Sequence, residues 1–132
     1  MKCLHYIIMG LLFIITISAC QKEPAIEIDA KFIGNWEHHQ NANKTIYLTI
    51  EADSKGQIEY YENGSFKSDT QQRKWLIKKN TLYFGWLATK DEIFSINQYP
   101  VKASTIVINN YDTILAGENY MVLDGEFYKK SN

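Results

Sequence analysis

The chain is poor in cysteine: its only two, Cys3 and Cys20, fall within the first twenty of 132 residues. Nothing after Cys20 can close an internal disulfide, so a domain built from the remainder is held by packing alone. An excess of cations is also missing, with 14 lysines and arginines against 15 aspartates and glutamates and a net charge of −1. That balance leaves no electrostatic footprint for nucleic acid. No apolar run reaches the ~20 residues of a membrane span; the longest, residues 7–17, has eleven. Catalytic signatures are lacking as well: there is no glycine-rich phosphate loop, no Gly-x-Ser-x-Gly elbow and, past Cys20, no cysteine nucleophile. His38 and His39 are adjacent, and neighbours on a strand point to opposite faces, so in strand geometry they do not jointly hold one metal ion. The chain is therefore not expected to be an enzyme, and no metal or cofactor is expected.

What the chain does have begins at its amino terminus. Lys2 and the free amine precede the short apolar run, and Ile17-Ser18-Ala19-Cys20 follows it. This arrangement is similar to a bacterial lipoprotein signal, with those four residues as the lipobox. The resemblance implies that residues 1–19 are a signal peptide cut between Ala19 and Cys20. It also implies that the Cys20 thiol carries a diacylglyceryl group and that the new amino terminus is acylated. Residues 20–31, with one proline and scattered charge, then read as the lipidated cysteine and a short tether, and residues 32–132 as one domain. The mature chain has 113 residues, too few for a second domain, and keeps 13 basic against 15 acidic residues because only Lys2 is lost. The implied location is the bacterial cell envelope, bound to membrane through acylated Cys20. Gln21 lacks the aspartate cue for inner-membrane retention, and Glu23, Glu27 and Asp29 are spread out rather than clustered. Both features lean toward an outer-membrane protein facing the periplasm.

From Ile33 onward, turn residues recur every eight to twelve positions and apolar residues alternate with polar ones between them, the grammar of antiparallel strands. In residues 45–51, Ile46, Leu48 and Ile50 share one face while Thr45, Tyr47, Thr49 and Glu51 share the other. Asp53-Ser54-Lys55-Gly56 reads as a hairpin turn with the glycine at a positive φ, and Asn63-Gly64 as a second hairpin. A strand over residues 57–62 lies between them. Residues 65–72 are polar and read as a strand edge or a loop, followed by a strand around Trp75. Residues 81–87 form a strand with Leu82, Phe84 and Trp86 inward, and residues 88–92 a loop. Further strands are expected at residues 93–98, 104–109, 119–124 and 126–130, with breaks at Pro100 and Asp124-Gly125. No stretch after residue 36 sustains a helical period. About eight short strands joined by tight turns predict an all-β fold, an antiparallel up-and-down β-barrel or a meandering sandwich.

Asp29-Ala30-Lys31-Phe32-Ile33-Gly34-Asn35-Trp36 resembles the entry to the lipocalin fold, where a helical turn leads to Gly-x-Trp on the first strand. The resemblance extends to the small lipocalin-like domains of bacterial lipoproteins, through Trp75, residues 80–84, Tyr120-Met121-Val122-Leu123 and the closing Phe127-Tyr128-Lys129-Lys130. It implies a lipocalin-like barrel in which Gly34 permits close approach of a neighbouring element and Trp36 plugs the floor. The family's Thr-Asp-Tyr motif and late arginine are absent. Tyr111-Asp112-Thr113 carries related residue types, and Lys129 or Lys130 stands where a cation over Trp36 would come from.

The resemblance implies a non-enzymatic binding module for a small apolar or amphipathic ligand, with Tyr60, Trp75, Phe84 and Trp86 as candidate ligand contacts. At this length, an interior filled by Ile46, Leu48, Phe84 and Trp86 is equally compatible with the sequence. The alternative is an envelope interaction protein, such as an immunity factor, inhibitor or accessory subunit, that contacts another protein through an outer strand face or loops. An apolar cavity lined by Tyr60, Phe84 and Trp86 favours the first, and a contiguous row among Tyr47, Tyr61 and Tyr83 on the outer face favours the second.

Overall fold

The computed structural model describes residues 28–86 and 89–131, with the side chains of 86 and 89–91 left aside. The expected signal peptide, Cys20 and most of the expected tether lie outside the described residues. A single 3₁₀ turn, Ala30–Phe32, opens the fold, capped by Asp29, whose Oδ1 accepts from Lys31 N–H at 2.9 Å. Eleven strands follow: β1 (Gly34–Asn41), β2 (Lys44–Ile50), β3 (Lys55–Glu62), β4 (Ser65–Asp69), β5 (Arg73–Lys78), β6 (Thr81–Trp86), β7 (Thr89–Lys102), β8 (Val107–Asn109), β9 (Asp112–Ile114), β10 (Asn119–Leu123) and β11 (Glu126–Ser131).

Nine strands form one antiparallel sheet in the order β2-β1-β11-β10-β7-β6-β5-β3-β4, and an added β2–β3 ladder closes eight of them into a barrel. Within it the first and last strands, β1 and β11, lie side by side, pairing Trp36 with Lys130 and Glu37 with Lys129. β4 stands outside the closure, paired only with the second half of β3 (Glu59↔Asp69 to Glu62↔Ser65). β5 takes up the first half of β3 through just two register pairs, Lys55↔Lys74 and Gly56↔Arg73. The up-and-down barrel read from alternation is therefore present, with one extra strand.

Alternation also places the core correctly. Trp36, Leu48, Ile50, Ile58, Trp75, Leu82, Phe84, Met121 and Leu123 are buried and join Phe32 in one cluster. Both buried indoles have acceptors, Trp36 Nε1–H donating to Phe32 O at 2.7 Å and Trp75 Nε1–H to Thr49 O at 2.9 Å. An unmet indole donor at either place would cost about 1–3 kcal/mol. Gly34 adopts φ +137°, a backbone conformation that L side chains rarely take, so the entry to β1 requires glycine.

Several elements differ from the sequence reading. The positive φ in the first hairpin belongs to Ser54, at 66°, and not to Gly56. Gly56 is needed for space, because a Cβ there would lie 1.8 Å from Thr49 O. The expected loop at residues 88–92 is largely strand, since β7 begins at Thr89 and runs fourteen residues. Pro100 lies inside β7 rather than at a break, beside a register shift in the β10 ladder between Tyr120↔Val101 and Val122↔Gln98. The extra residue there leaves a position without a ladder donor, which suits a proline. Residues 104–109 shorten to β8, which folds back on β9 as a separate two-stranded hairpin. Ile28, within the span read as tether, is 6% exposed and belongs to the core cluster.

Candidate functional site

The four ligand candidates separate. Trp75 and Phe84 are 1% and 0% exposed, with rings 4.5 Å apart, and Phe94 packs 6.2 Å from Trp75 on the same side. These rings occupy the barrel interior, so at their level the interior is filled by side chains. The side chain of Trp86 lies outside the described residues. Tyr60 alone reaches an opening. It lines a cleft of about 410 Å³ at the rim, with Gln40, Lys44, Ile46, Tyr61 and Lys67 among its walls. Burial, and secondarily the Glu92 carboxylate, raises the Tyr60 hydroxyl above its ordinary pKa. Tyr128, deeper in the barrel, is raised for the same first reason, with Asp124 adding. Burial thus favours the neutral form of both phenols over the anion.

A second feature lies outside the barrel. Alternation that sends Ile46, Leu48 and Ile58 inward sends Tyr47 and Tyr61 outward, and the β3–β4 register sets Phe66 opposite Tyr61. Tyr47 and Tyr61 meet edge to face at 5.2 Å, and Tyr61 meets Phe66 the same way at 5.7 Å. Phe66 is 52% exposed, every residue of β4 is exposed, and β4 ends the sheet with its far edge unpaired among the described residues. Tyr83 is not in this row; it sits on β6, separated from β3 by β5.

The third feature was not foreseen. Asp112, 5% exposed on β9, enters beside β1 above the last β1–β11 pair, Glu37↔Lys129. Its carboxylate accepts from His39 N–H, from His39 Nδ1 at 2.6 Å and from His38 Nδ1 at 3.2 Å. His38 Nδ1 also faces Phe127 O at 3.1 Å, and since both partners are acceptors, that nitrogen carries the hydrogen. Two imidazoles on opposite faces can share one carboxylate because it arrives at the strand edge rather than over a face. The pairing pins the β8–β9 hairpin to the barrel. Among the described residues, no group of three or more His, Cys, Asp or Glu is arranged to hold a metal ion.

At the floor, Lys130 Nζ lies 5.5 Å from the Trp36 ring centroid and donates to Ile33 O at 2.7 Å, while Lys129 pairs with Glu37 at 3.3 Å. Of the two lysines considered, Lys130 is the cation over Trp36. Compared with protein-family models, curated proteins and solved structures, the chain matches none of them.

Proposed function

We propose that the chain is a lipid-anchored, non-enzymatic protein of the bacterial cell envelope, tethered through Cys20. In this reading it binds an extended segment of another protein along β4. The observation that carries the reading is the Tyr47-Tyr61-Phe66 row beside the unpaired edge of β4. An exposed edge offers a row of backbone donors and acceptors to an added strand, and the flanking aromatic face supplies apolar contacts for its alternate side chains. The filled interior around Trp75 and Phe84 favours an outer surface over a lumen.

A second reading keeps the small apolar or amphipathic ligand and seats it at the rim. The cleft of about 410 Å³ lined by Ile46 and Tyr60 falls within the roughly 300–1,000 Å³ of small-molecule sites.

The two separate in one experiment on the acylated protein in its own membranes. A photo-crosslinking residue at position 66 should give a protein adduct that disappears with Tyr61→Ala or with Asp69→Pro, which removes an outward-facing amide of β4, while circular dichroism shows the barrel intact. A co-purifying small molecule in native mass spectrometry, lost with Tyr60→Ala, together with no adduct from position 66, would replace the first reading with the second. The anchor has its own test: Cys20→Ala should release the protein from membranes or leave an unprocessed precursor. A mature, membrane-bound variant would refute the lipobox.

A further inference from the structure

The barrel end opposite the rim carries a second cleft, of about 290 Å³, lined by Lys31, Pro100, Val101, Lys102, Asn119 and Lys130. Three cations and one neutral amide face it, with no carboxylate in its lining. The acids flanking these elements are already engaged: Asp29 caps Lys31 N–H, and Glu118 Oε2 accepts from Leu115 N–H at 2.7 Å. Lys130 is held in place, since its ammonium donates to Ile33 O and lies over the Trp36 ring. Three like charges converging on one cleft repel, and an anion seated among them removes that repulsion.

We infer that this cleft binds a phosphate anion, specifically the headgroup of an anionic phospholipid. Its position argues for that source. Lys31 lies three residues after Ile28, where the described residues begin. Eight residue-to-residue steps separate Cys20 from Ile28, a reach of at most about 28 Å. A bilayer holding the acylated cysteine thus lies within reach of the lysines. An apolar side chain shares the lining: Val101 is 39% exposed. Lysines beside exposed aliphatic groups are the composition of a surface that rests at the headgroup boundary. The inference takes only the anchor from the functional reading above and does not depend on β4.

Every residue of the core cluster lies between Ile28 and Tyr128, so the chain from Gln21 onward, lacking the lipidated cysteine, serves for the test. It should co-sediment with vesicles of phosphatidylglycerol in phosphatidylcholine at low salt and not with phosphatidylcholine alone. Lys31→Gln and Lys102→Gln should each weaken this about fivefold, the loss expected per lysine at an anionic surface. Lys74→Gln, on β5, should change nothing. Soluble glycerol phosphate should shift the amide resonances of residues 31, 102 and 119. Binding to glycerol phosphate without vesicle binding would keep the anion site but give it a soluble source, overturning the lipid assignment. Loss of vesicle binding in Lys74→Gln equal to that in Lys31→Gln, or no response to either probe, would overturn the site.

Discussion

Gly56→Ala is the most severe single-methyl change the structure offers. Gly56 pairs with Ile50 on β2 and Arg73 on β5, at the junction where three strands converge. A Cβ built there lies 1.8 Å from Thr49 O and 2.5 Å from Trp75 Nε1. Those two atoms are bonded to each other at 2.9 Å, so the methyl would occupy the hydrogen bond itself. Neither neighbour can swing aside: one is backbone, and Trp75 is 1% exposed against Phe84. Overpacking costs about 1–3 kcal/mol, and the lost indole hydrogen bond adds roughly 0.5–1.5 kcal/mol. A total of about 2–4 kcal/mol is a large part of the ~5–15 kcal/mol that stabilises a small domain. With a urea m-value of ~2 kcal/mol/M, the middle of the usual range, the midpoint should fall by roughly 1–2 M. The assay is equilibrium urea unfolding of the chain from Gln21, followed by tryptophan fluorescence and far-ultraviolet circular dichroism. Gly64→Ala is the control, because its Cβ meets nothing within 4 Å and its φ of +72° adds only backbone strain of about 1–2 kcal/mol. A Gly56→Ala variant within about 0.5 kcal/mol of the parent, the ordinary range of a surface substitution, would refute the close approach of β2, β3 and Trp75.

Two further predictions follow from the buried polar groups. Asp112→Ala removes the acceptor of His39 N–H and both imidazole donors; it should cost about 2–3 kcal/mol and speed hydrogen exchange in residues 107–114, where an unchanged hairpin would contradict the pinning role. Burial holds the Tyr128 phenol protonated in the folded state beyond its ordinary pKa of 10.0, so its stabilisation is complete below that pH and is lost as the pH rises above it. Each such tyrosine contributes a slope of up to ~1.4 kcal/mol per pH unit. Urea midpoints at pH 9 and pH 11 should therefore fall less in Tyr128→Phe than in the parent, and equal falls would place the phenol in water.

Where alternation is strict and one face is buried, the chain announces its strands. Ile46, Leu48 and Ile50 on β2, and Leu82 and Phe84 on β6, declare both the strand and its inward face, because a one-residue slip would expose them all. Asn63-Gly64 likewise declares its turn. Less could be read where tertiary contacts override local chemistry. Pro100 suggests a break only if the partner strand is unknown; the bulge that tolerates it belongs jointly to β7 and β10. Gly56 looks like a turn residue until Thr49 and Trp75 are seen above it. The Asp112 pairing joins residues 73 and 74 positions apart, and no local pattern encodes that distance. Of the candidate sites, Tyr60 was legible as an inward aromatic near a strand end. The Tyr47-Tyr61-Phe66 row needed the β3–β4 register, which depends on a bulge between Tyr60 and Tyr61.

The proposed partner site is the edge of β4 rather than the barrel interior. Hydrogen exchange of residues 65–69, measured by mass spectrometry on the purified acylated chain and on the same chain in its native membranes, tests it most directly. Fast exchange is expected in the purified protein, from an exposed edge strand, and slowing by tenfold or more in the membranes, where an added strand covers those amides. Slowing confined to Gln40, Ile46 and Tyr60, or no slowing at β4 in membranes that hold the protein at full occupancy, would contradict it.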